Sequence, residues 1–227
     1  MELQLFGINH KTTKLSEREL FIINDSNQED FKNFFQSAFS DSVDSFFALS
    51  TCNRTEVYIF GSSTSASKIA QKTLEFFGSN DSLNNDLYFF NGNEAIEHMC
   101  NVASGLDSQV LGEQEILGQF KKSIQTYIEL GSLKGEFQRL TDDIISIAKA
   151  ARTETQIGFN PLSVSGLSLK IVQEIFEDPT QQKLTIVGAG QMALSVIENF
   201  HDNGIKNINA IKKYSLLLIC DSKTISL

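Results

Sequence analysis

The chain has 227 residues, of which 41% are hydrophobic, a length that predicts either one large domain or two small ones with a sizeable buried core. Its 19 basic and 28 acidic side chains leave a net charge of −9, which argues against a nonspecific nucleic-acid binder, because such proteins neutralise many phosphates at once. The three cysteines are far apart, the N-terminus lacks a signal-peptide pattern, and no stretch approaches ~20 apolar residues, so we expect a reduced, cytoplasmic protein without a metal site or membrane segment.

Short apolar strands and amphipathic helices alternate over the first 90 residues. Ser16 followed by Glu19 forms a capping-box pattern that predicts a short helix through Ile23. A longer helix over residues 28–39 places four apolar side chains on one face, namely Phe31, Phe34, Phe35 and Ala38. Strands are predicted over residues 3–8, 46–49, 56–60 and 87–90, and another helix over residues 66–77. This order, βα-ββ-αβ, predicts a sheet of the split βαβ type.

A polar hinge joins the second and third of these strands and contains Cys52. The thiolate is the reactive form of cysteine, and a nearby cation lowers the pKa of a thiol. Arg54 can serve in that way, or it can clamp a carboxylate with its two-pronged donor face. The alternative is a buried cysteine beside an ordinary turn arginine, because free cysteine is often simply a small buried side chain.

From Asn93 onward the pattern becomes helical. Asn93 is expected to cap a helix that carries His98, and two long helices are predicted over residues 111–130 and 135–152. A lone histidine is more often a core or surface residue than a catalytic one. The acidic residues near position 113 either face a pocket or occupy a solvated first turn, where acidic side chains are favoured anyway.

The last part of the chain changes character at Gln182. A buried strand is predicted over residues 183–187, followed by a glycine-rich turn, a helix through Phe200 and a second strand over residues 207–211. Such a turn, after a strand and before a helix, is typical of a dinucleotide-binding unit, with the pyrophosphate at the helix N-terminus. The predicted cofactor-binding residues are Gly188, Ala189, Gly190, Gln191, Met192 and Ala193. Lys212 and Lys213 either suit the 2′-phosphate of NADP or are ordinary surface charges.

Three separated motifs occur in a specific order. They are Gly-Ile-Asn-His-Lys-Thr at 7–12, Ser-Thr-Cys-Asn-Arg-Thr-Glu-Val-Tyr at 50–58 and Gly-Leu-Asp-Ser-Gln-Val-Leu-Gly-Glu-Gln-Glu-Ile-Leu-Gly-Gln at 105–119. Together they resemble the glutamyl-tRNA reductase family, over residues 1 to about 209. The resemblance implies NADPH-dependent reduction of glutamyl-tRNA to glutamate-1-semialdehyde through a cysteine thioester, the first step of tetrapyrrole biosynthesis. It also implies glutamyl-tRNA and glutamate-1-semialdehyde aminomutase as partners, and a homodimer formed through a long helical region.

The resemblance also implies roles for individual residues. Cys52 is the implied nucleophile, whose thiolate attacks the ester carbonyl. His98 stands ten residues before Ser108, as the active-site histidine of the family stands before its serine, and would position or protonate the leaving ribose oxygen. The implied substrate-binding residues are Thr51, Asn53, Arg54, Ser108, Glu113, Gln114, Glu115 and Gln119.

These elements predict an α/β protein: an α+β catalytic domain with a split βαβ-type sheet and a helical bundle, followed by a partial Rossmann-type unit. We expect the catalytic domain over residues 1–158, a connecting helix over residues 159–182 and an incomplete NADPH-binding unit over residues 183–227. A complete nucleotide domain needs more strand–helix units to bury both sheet faces, so we expect a truncated chain that is poorly stable after Lys183. An engineered end, a truncated or frame-shifted natural product and an incomplete sequence all fit, and the unusual tail favours the frame shift. Its apolar run at residues 216–219 is expected to be exposed and prone to β-aggregation.

The departures from the family pattern leave three functions open. The family shows Asn-Arg-Thr where the two lysines at 212 and 213 stand, and its dimerisation region is not found in this sequence. Because hydride transfer needs a whole nucleotide domain, the chain is expected to perform acyl transfer to Cys52 with slow hydrolysis. The alternatives are a non-catalytic remnant that binds glutamyl-tRNA or a full-length partner, and a cysteine hydrolase of small esters.

Overall fold

A computed structural model describes residues 2–78, 86–113, 115–155, 157, 163–188, 190–212 and 215–219. The chain forms two compact units, residues 1–161 and 162–227. Among the described residues, no helix is both long enough and apolar enough to cross a membrane.

The N-terminal unit is built on a four-stranded antiparallel sheet. Its strands are β1 (Leu3–Asn9), β2 (Ser45–Ser50), β3 (Arg54–Phe60) and β4 (Tyr88–Asn91), in the order β2-β3-β1-β4. This order confirms the predicted split βαβ sheet, in which β3 returns between β1 and β2. The hinge that contains Cys52 therefore joins the edge strand β2 to the inner strand β3.

The described part of this unit contains the α-helices α1 (Leu15–Arg18), α2 (Gln28–Phe39), α3 (Ala66–Phe76), α4 (Gly92–Ser104), α5 (Glu115–Glu129) and α6 (Gly135–Glu154). Aromatic side chains fill the core between the helices and the sheet. The fully buried ring of Phe47 stacks on Tyr58 with centroids 4.6 Å apart and meets Phe120 edge-on at 5.8 Å. Burial of one such side chain stabilises the fold by roughly 1.5–3 kcal/mol.

Two predictions about the first helices are wrong. Helix α1 begins at Leu15 after Lys14, so Ser16 lies within its first turn instead of capping it, and the chain continues as a 3-10 turn over Glu19–Phe21. On α2 the buried positions are Phe31, Phe35 and Phe39, whereas Ala38 is exposed. The buried residues are spaced four apart, so the third of them is Phe39 and not the adjacent Ala38.

Helices α4 and α5 also differ from their predicted starts. Helix α4 begins at Gly92, with Asn91 at the N-cap in place of the predicted Asn93. Helix α5 begins at Glu115, four residues later than predicted. Gly105 ends α4 with φ of 80°, and Gly112, with φ of 77°, donates its N–H to the Gly105 carbonyl at 2.9 Å. These two left-handed glycines close a loop over residues 105–112, of which only residues 111 and 112 fall in the predicted helix.

The C-terminal unit contains α7 (Val164–Ile175), a 3-10 turn (Pro179–Gln181), β5 (Leu184–Val187), α8 (Gln191–Asp202), β6 (Ile208–Lys212) and β7 (Ser215–Ile219). Strands β5 and β6 are parallel and α8 connects them, as expected for the opening of a nucleotide-binding unit. The predicted buried strand is in fact half-buried, because Thr185 and Val187 lie on an open face of β5. The apolar run at residues 216–219 pairs antiparallel with β6 as part of β7.

Candidate active site

A tight turn between β2 and β3 presents Cys52. The Thr51 N–H donates to the Arg54 carbonyl at 2.8 Å, and the Thr51 hydroxyl accepts from the Asn53 N–H at 3.2 Å. The Asn53 carbonyl accepts from the His10 N–H at 2.9 Å, which ties the turn to the end of β1. These bonds leave Cys52 exposed at the apex, with a free thiol.

The environment of Cys52 disfavours the thiolate in the unliganded chain. Desolvation by surrounding atoms is the largest cause of a raised thiol pKa, and the Glu113 carboxylate is the next. The cation among the largest causes is Arg18, which lowers this pKa, and Arg54 is not one of these causes, so the interpretation in which Arg54 activates the thiol gains no support. Relief of the desolvation or of the acidic charges around Cys52 would favour the thiolate.

Arg54 is instead held in a buried ionic network and is 1% exposed. Its Nη1 donates to Glu56 Oε1 at 2.7 Å, and its Nη2 donates to Asp107 Oδ2 at 3.0 Å and also to the Asp107 carbonyl. Burial alone would lower the pKa of the guanidinium, but Glu56, followed by Tyr88, Tyr58 and Asp107, together outweigh burial and raise that pKa. Arg54 is therefore a fixed cation at the first residue of β3.

Glu56 is the centre of this network. Its fully buried carboxylate accepts hydrogen bonds from Arg54, from the hydroxyls of Tyr58 and Tyr88, and from His98 Nε2 at 2.8 Å. Burial alone would raise the pKa of Glu56, but Arg54, followed by His98, holds it well below the usual range. The carboxylate is therefore ionised at neutral pH, and it fixes the orientation of His98, whose ring also stacks on Phe90 at 4.8 Å.

Three buried polar atoms near this network have no hydrogen-bond partner within the described segments: His10 Nδ1, Arg54 Nε and Ser108 Oγ. His10 lies close to Arg54, because after desolvation the Arg54 charge is the largest cause that lowers the pKa of His10. Ser108 follows Asp107, which bonds both Arg54 and Lys11. Because buried polar groups normally have partners, these atoms indicate a place for a polar ligand.

A cleft of about 650 Å³ opens beside the turn, between the end of β2, helix α5 and residues 22–28. Its lining includes Thr51, Cys52 and Gln119, but not Arg54 or Ser108. This volume is within the range of small-molecule sites, ~300–1,000 Å³. Cys52 thus borders a cleft on one side, while the charged network begins two residues further along the chain.

A family model described as "Glutamyl-tRNAGlu reductase, N-terminal domain" matches residues 6–155. The chain belongs to the glutamyl-tRNA reductase family. It is 34% identical over 215 residues to the glutamyl-tRNA reductase of Pseudoalteromonas atlantica, covering 94% of this chain and 50% of that protein. It is 38% identical over 210 residues to that of Saccharophagus degradans, covering 92% and 48%. The chain therefore spans about half the length of the curated relatives it matches.

A solved glutamyl-tRNA reductase, from Methanopyrus kandleri, supports the same relationship. It superimposes with a TM-score of 0.62 at 28% identity, covering 93% of this chain and 49% of that one. The fold predicted from the three motifs is that of the family.

The structure places the predicted site residues of this family member in different surroundings. Thr51, Cys52 and Gln119 share the cleft, whereas Arg54 and His98 belong to the buried network. The remaining predicted residues are Asn53 in the turn, Ser108 beside Asp107, half-buried Glu113, whose carbonyl accepts from Arg152, and exposed Glu115. Gln114 lies outside the described residues. Substrate binding by these side chains remains a prediction.

Sequence reasoning assigned no role to several residues that the structure brings to the site. They are His10, Lys11, Glu56, Tyr58, Tyr88 and Asp107. All but Tyr88 lie in the three motifs that carry the family resemblance, and their position in these motifs was the signal that could have pointed to them. The contacts among Arg54, Glu56 and Tyr58 are local to β3, whereas those with Tyr88, His98 and Asp107 join segments distant in sequence, which one sequence does not reveal.

The glycine turn between β5 and α8 fits a dinucleotide. Gly188 has φ of 129°, and a Cβ added at Gly188 or Gly190 would meet no atom within 4 Å, so the backbone is open to a close ligand. Gly190 is the N-cap of α8 and provides no side-chain cap, which leaves the first N–H groups of the helix available to a phosphate. Met192 is exposed and Ala193 half-buried. Ala189 and Lys213, and the side chains of Gln191 and Lys212, lie outside the described residues.

Proposed function

We propose that the N-terminal unit performs acyl transfer from glutamyl-tRNA to Cys52. The observation that carries the proposal is the exposed thiol at the apex of a fixed turn, two residues before a buried cation and bordering a ligand-sized cleft. In the proposed step the sulfur attacks the ester carbonyl and forms a C–S bond. The C–O bond to the ribose breaks, the ribose oxygen takes a proton, and tRNA leaves with a free hydroxyl.

The charges around the turn match a glutamyl group. A glutamyl ester carries an ammonium and a side-chain carboxylate. Glu113, which raises the pKa of Cys52 after desolvation, is suited to the ammonium, and Arg54 and the unpartnered Ser108 hydroxyl are suited to the carboxylate. When the ammonium binds Glu113, the carboxylate acts less on Cys52, so substrate binding itself favours the thiolate. Protonation of the ribose oxygen is proposed for His98, which Glu56 orients.

Reduction to glutamate-1-semialdehyde is the second half of the proposal. NADPH supplies the hydride when it is bound, and the turn of Gly188 and Gly190 with the N-terminus of α8 is proposed to hold its pyrophosphate. The thioester carbonyl is more electrophilic than an ester carbonyl, and Cys52 returns as a thiolate when the C–S bond breaks. In this form the activity is the first step of tetrapyrrole biosynthesis in the cytoplasm, and its product passes to glutamate-1-semialdehyde aminomutase. The homodimer that the resemblance implies would form through the family's long helical region, which these 227 residues do not include.

Intact-protein mass after brief incubation with glutamyl-tRNA, without NADPH, tests the acyl-transfer step. A glutamyl adduct is expected on the wild type and on the matched control Cys100→Ser, and none on Cys52→Ser. Cys100 is a suitable control because its thiol is half-buried on α4 and its pKa is also raised, by burial and then by Glu97. An adduct that persists in Cys52→Ser, or none in any variant, contradicts the proposal.

The same experiment separates the rival functions. If the chain binds glutamyl-tRNA without any adduct, it is a binding module. If a simple ester of acetate acylates Cys52 as fast as glutamyl-tRNA does, the chain is a general cysteine hydrolase, because the charges that match glutamate then contribute nothing.

A further inference from the structure

Arg18 has no role in the reaction proposed above, although its charge acts on Cys52. We infer that Arg18 is a positioning residue for that reaction: its guanidinium stabilises the thiolate of Cys52 before the sulfur attacks the ester and again when the thioester bond breaks. The inference rests on the proposed acyl transfer, because the thiolate is the species that this transfer consumes.

The segment that carries Arg18 is fastened to the turn between β2 and β3. The Ile23 N–H donates to the Ser50 hydroxyl oxygen at 3.1 Å, and this hydroxyl also bonds the Thr55 hydroxyl at 2.8 Å. Ser50 and Thr55 pair across the two strands at the base of the turn. Phe21 is fully buried and anchors the same segment in the core. Arg18, three residues before Phe21, is therefore carried by a segment that is fixed at the base of the turn.

The guanidinium of Arg18 is fixed in position, but it lacks a carboxylate partner. Its Nη1 donates to the Thr13 carbonyl at 2.7 Å, and the Thr13 N–H donates to the carbonyl of Asn9, the last residue of β1, at 3.0 Å. Within the segments that the structure describes, its buried Nε has no hydrogen-bond partner and Arg18 forms no salt bridge. Buried donors normally have partners. A backbone oxygen thus holds the cation in place while one of its donors stays available to an anion.

The electrostatics link this cation to the thiol. Arg18 lowers the pKa of Cys52 and also that of His10, whose backbone N–H bonds the same turn. A Coulomb interaction weakens with distance, so a charge that acts on both groups lies near the turn. The other charges among the largest causes are the carboxylates of Glu113, before α5, and Glu115, in its first turn, and both raise the pKa of the thiol. Arg18 is the cation that opposes them.

Substrate binding shifts this balance toward Arg18. In the unliganded chain desolvation and the two carboxylates together outweigh Arg18, so the thiol is protonated at neutral pH. The proposed contact of the glutamyl ammonium with Glu113 neutralises the stronger of the two carboxylates. The substrate also displaces water, and the positive charge acts more strongly on the sulfur when the effective dielectric falls. The thiolate of Cys52 is therefore favoured when the ester is bound.

Arg18 keeps its own proton throughout the reaction, because a guanidinium is not deprotonated in proteins. In the first half the sulfur loses its proton, the C–S bond forms, the C–O bond to the ribose breaks and the ribose oxygen takes a proton. The sulfur of the thioester carries no charge, so Arg18 then has no anion to stabilise. When the C–S bond breaks during reduction, its electron pair stays with the sulfur, and the thiolate is again stabilised by the cation.

Removing the charge of Arg18 tests the inference without glutamyl-tRNA. Arg18→Met deletes the cation but keeps an apolar stem, Arg18→Lys keeps a cation, and Lys14→Met is the matched control, because Lys14 is the exposed N-cap of the same helix. In chains whose other two cysteines are serine, alkylation by the neutral reagent iodoacetamide is measured against pH. Arg18→Met is expected to move the profile up by about half a pH unit, which slows alkylation at neutral pH about threefold. Lys14→Met should match the wild type, and Arg18→Lys should regain most of the shift.

An Arg18→Met profile that coincides with the wild type overturns the inference. A resonance of Arg18 itself decides the question if Arg18→Met does not fold. The Nε–H resonance of Arg18 is followed over the same pH range in isotope-labelled wild type and in Cys52→Ser. A shift with the midpoint of the alkylation profile, absent in Cys52→Ser, supports the inference, and a resonance that does not respond to Cys52 overturns it.

The rate of acylation by glutamyl-tRNA, followed by intact mass, then tests the role of Arg18 in the reaction. Arg18→Met is expected to form the glutamyl adduct about threefold more slowly than Lys14→Met, in proportion to its thiolate fraction. Equal rates overturn that role even where the alkylation profile shifts. If the wild type forms no adduct, the proposed function fails, whereas the alkylation profiles still decide whether Arg18 stabilises the thiolate.

Discussion

Replacing Glu56 with glutamine keeps the length of the side chain but removes the negative charge that Arg54, His98 and two tyrosines share. Glu56 is fully buried, so the variant leaves the buried Arg54 cation with Asp107 as its remaining carboxylate partner. Removing one partner of a buried ion pair costs about 3–5 kcal/mol. We expect a loss of that size in the free energy of unfolding of the N-terminal unit, out of a total of about 5–15 kcal/mol.

Urea unfolding of Glu56→Gln and of the matched control Glu75→Gln measures this loss. Glu75 pairs with Lys72 on the surface, with side chains 59% and 49% exposed, and such a pair is worth about 0–1 kcal/mol. The double variant Arg54→Met, Glu56→Leu is expected to regain much of the loss, because it leaves no unpaired buried charge. A Glu56→Gln loss no larger than that of Glu75→Gln would refute the reasoning.

The same network predicts a dependence on pH. Burial alone would raise the pKa of Glu56, but Arg54 and His98 hold it below the usual value of 4.5. The contribution of Glu56 to stability is therefore fully present above pH 4.5 and is lost as the pH falls through the lower pKa of the folded state. Glu56→Gln lacks this carboxyl group. The difference in the free energy of unfolding between wild type and variant, measured with urea, should therefore narrow as the pH falls below 4.5.

Two further predictions concern the thiol and the loop before α5. Glu113→Gln should lower the pKa of Cys52, because it removes the largest raising charge after desolvation. Alkylation rates against pH, with the other two cysteines replaced by serine, would show the shift, and an unchanged profile would contradict it. Gly112→Ala should lower the free energy of unfolding by well over the ~1–2 kcal/mol expected for a positive φ alone, because the Cβ of the alanine would lie 2.4 Å from the Ile157 carbonyl oxygen. Gly131→Ala, with similar φ and no atom within 4 Å, gives the cost of φ alone, and equal losses in urea unfolding would contradict the clash.

The sequence was sufficient to predict the sheet and the turn that carries Cys52, but it did not identify the partners of Arg54. The prediction left two roles open for Arg54, namely lowering the pKa of the Cys52 thiol or clamping a carboxylate. In a strand, however, side chains two residues apart share a face, so Arg54, Glu56 and Tyr58 line the same side of β3. This local part of the network was available from the period of the strand. The contacts with Asp107 and His98 were not, since they span 53 and 42 residues.

The loop before α5 shows a second limit. Its apolar residues have helical spacing, so the sequence predicted a helix from residue 111. Gly105 and Gly112 both adopt positive φ, and the bond between them closes the loop over residues 105–112. Glycine permits a positive φ but does not by itself predict one, because Gly118 in α5 is helical. Asp107 lies in this loop, and its contacts with Arg54 and Lys11 come from residues distant in sequence.

The loop over residues 105–112, the ionic network of Arg54 and the turn that presents Cys52 are connected by successive contacts. Asp107 reaches Arg54 because the Gly105–Gly112 loop turns back from α4, and Arg54 is then bonded through both ends of its guanidinium. Arg54 is the first residue of β3, and its carbonyl closes the turn that presents Cys52. A buried ion pair is weak evidence that the fold is stabilised, but a hydrogen-bonded ion pair restricts the positions of its side chains. The charges two residues away therefore determine where the thiol stands, although the thiol itself has few contacts to hold it.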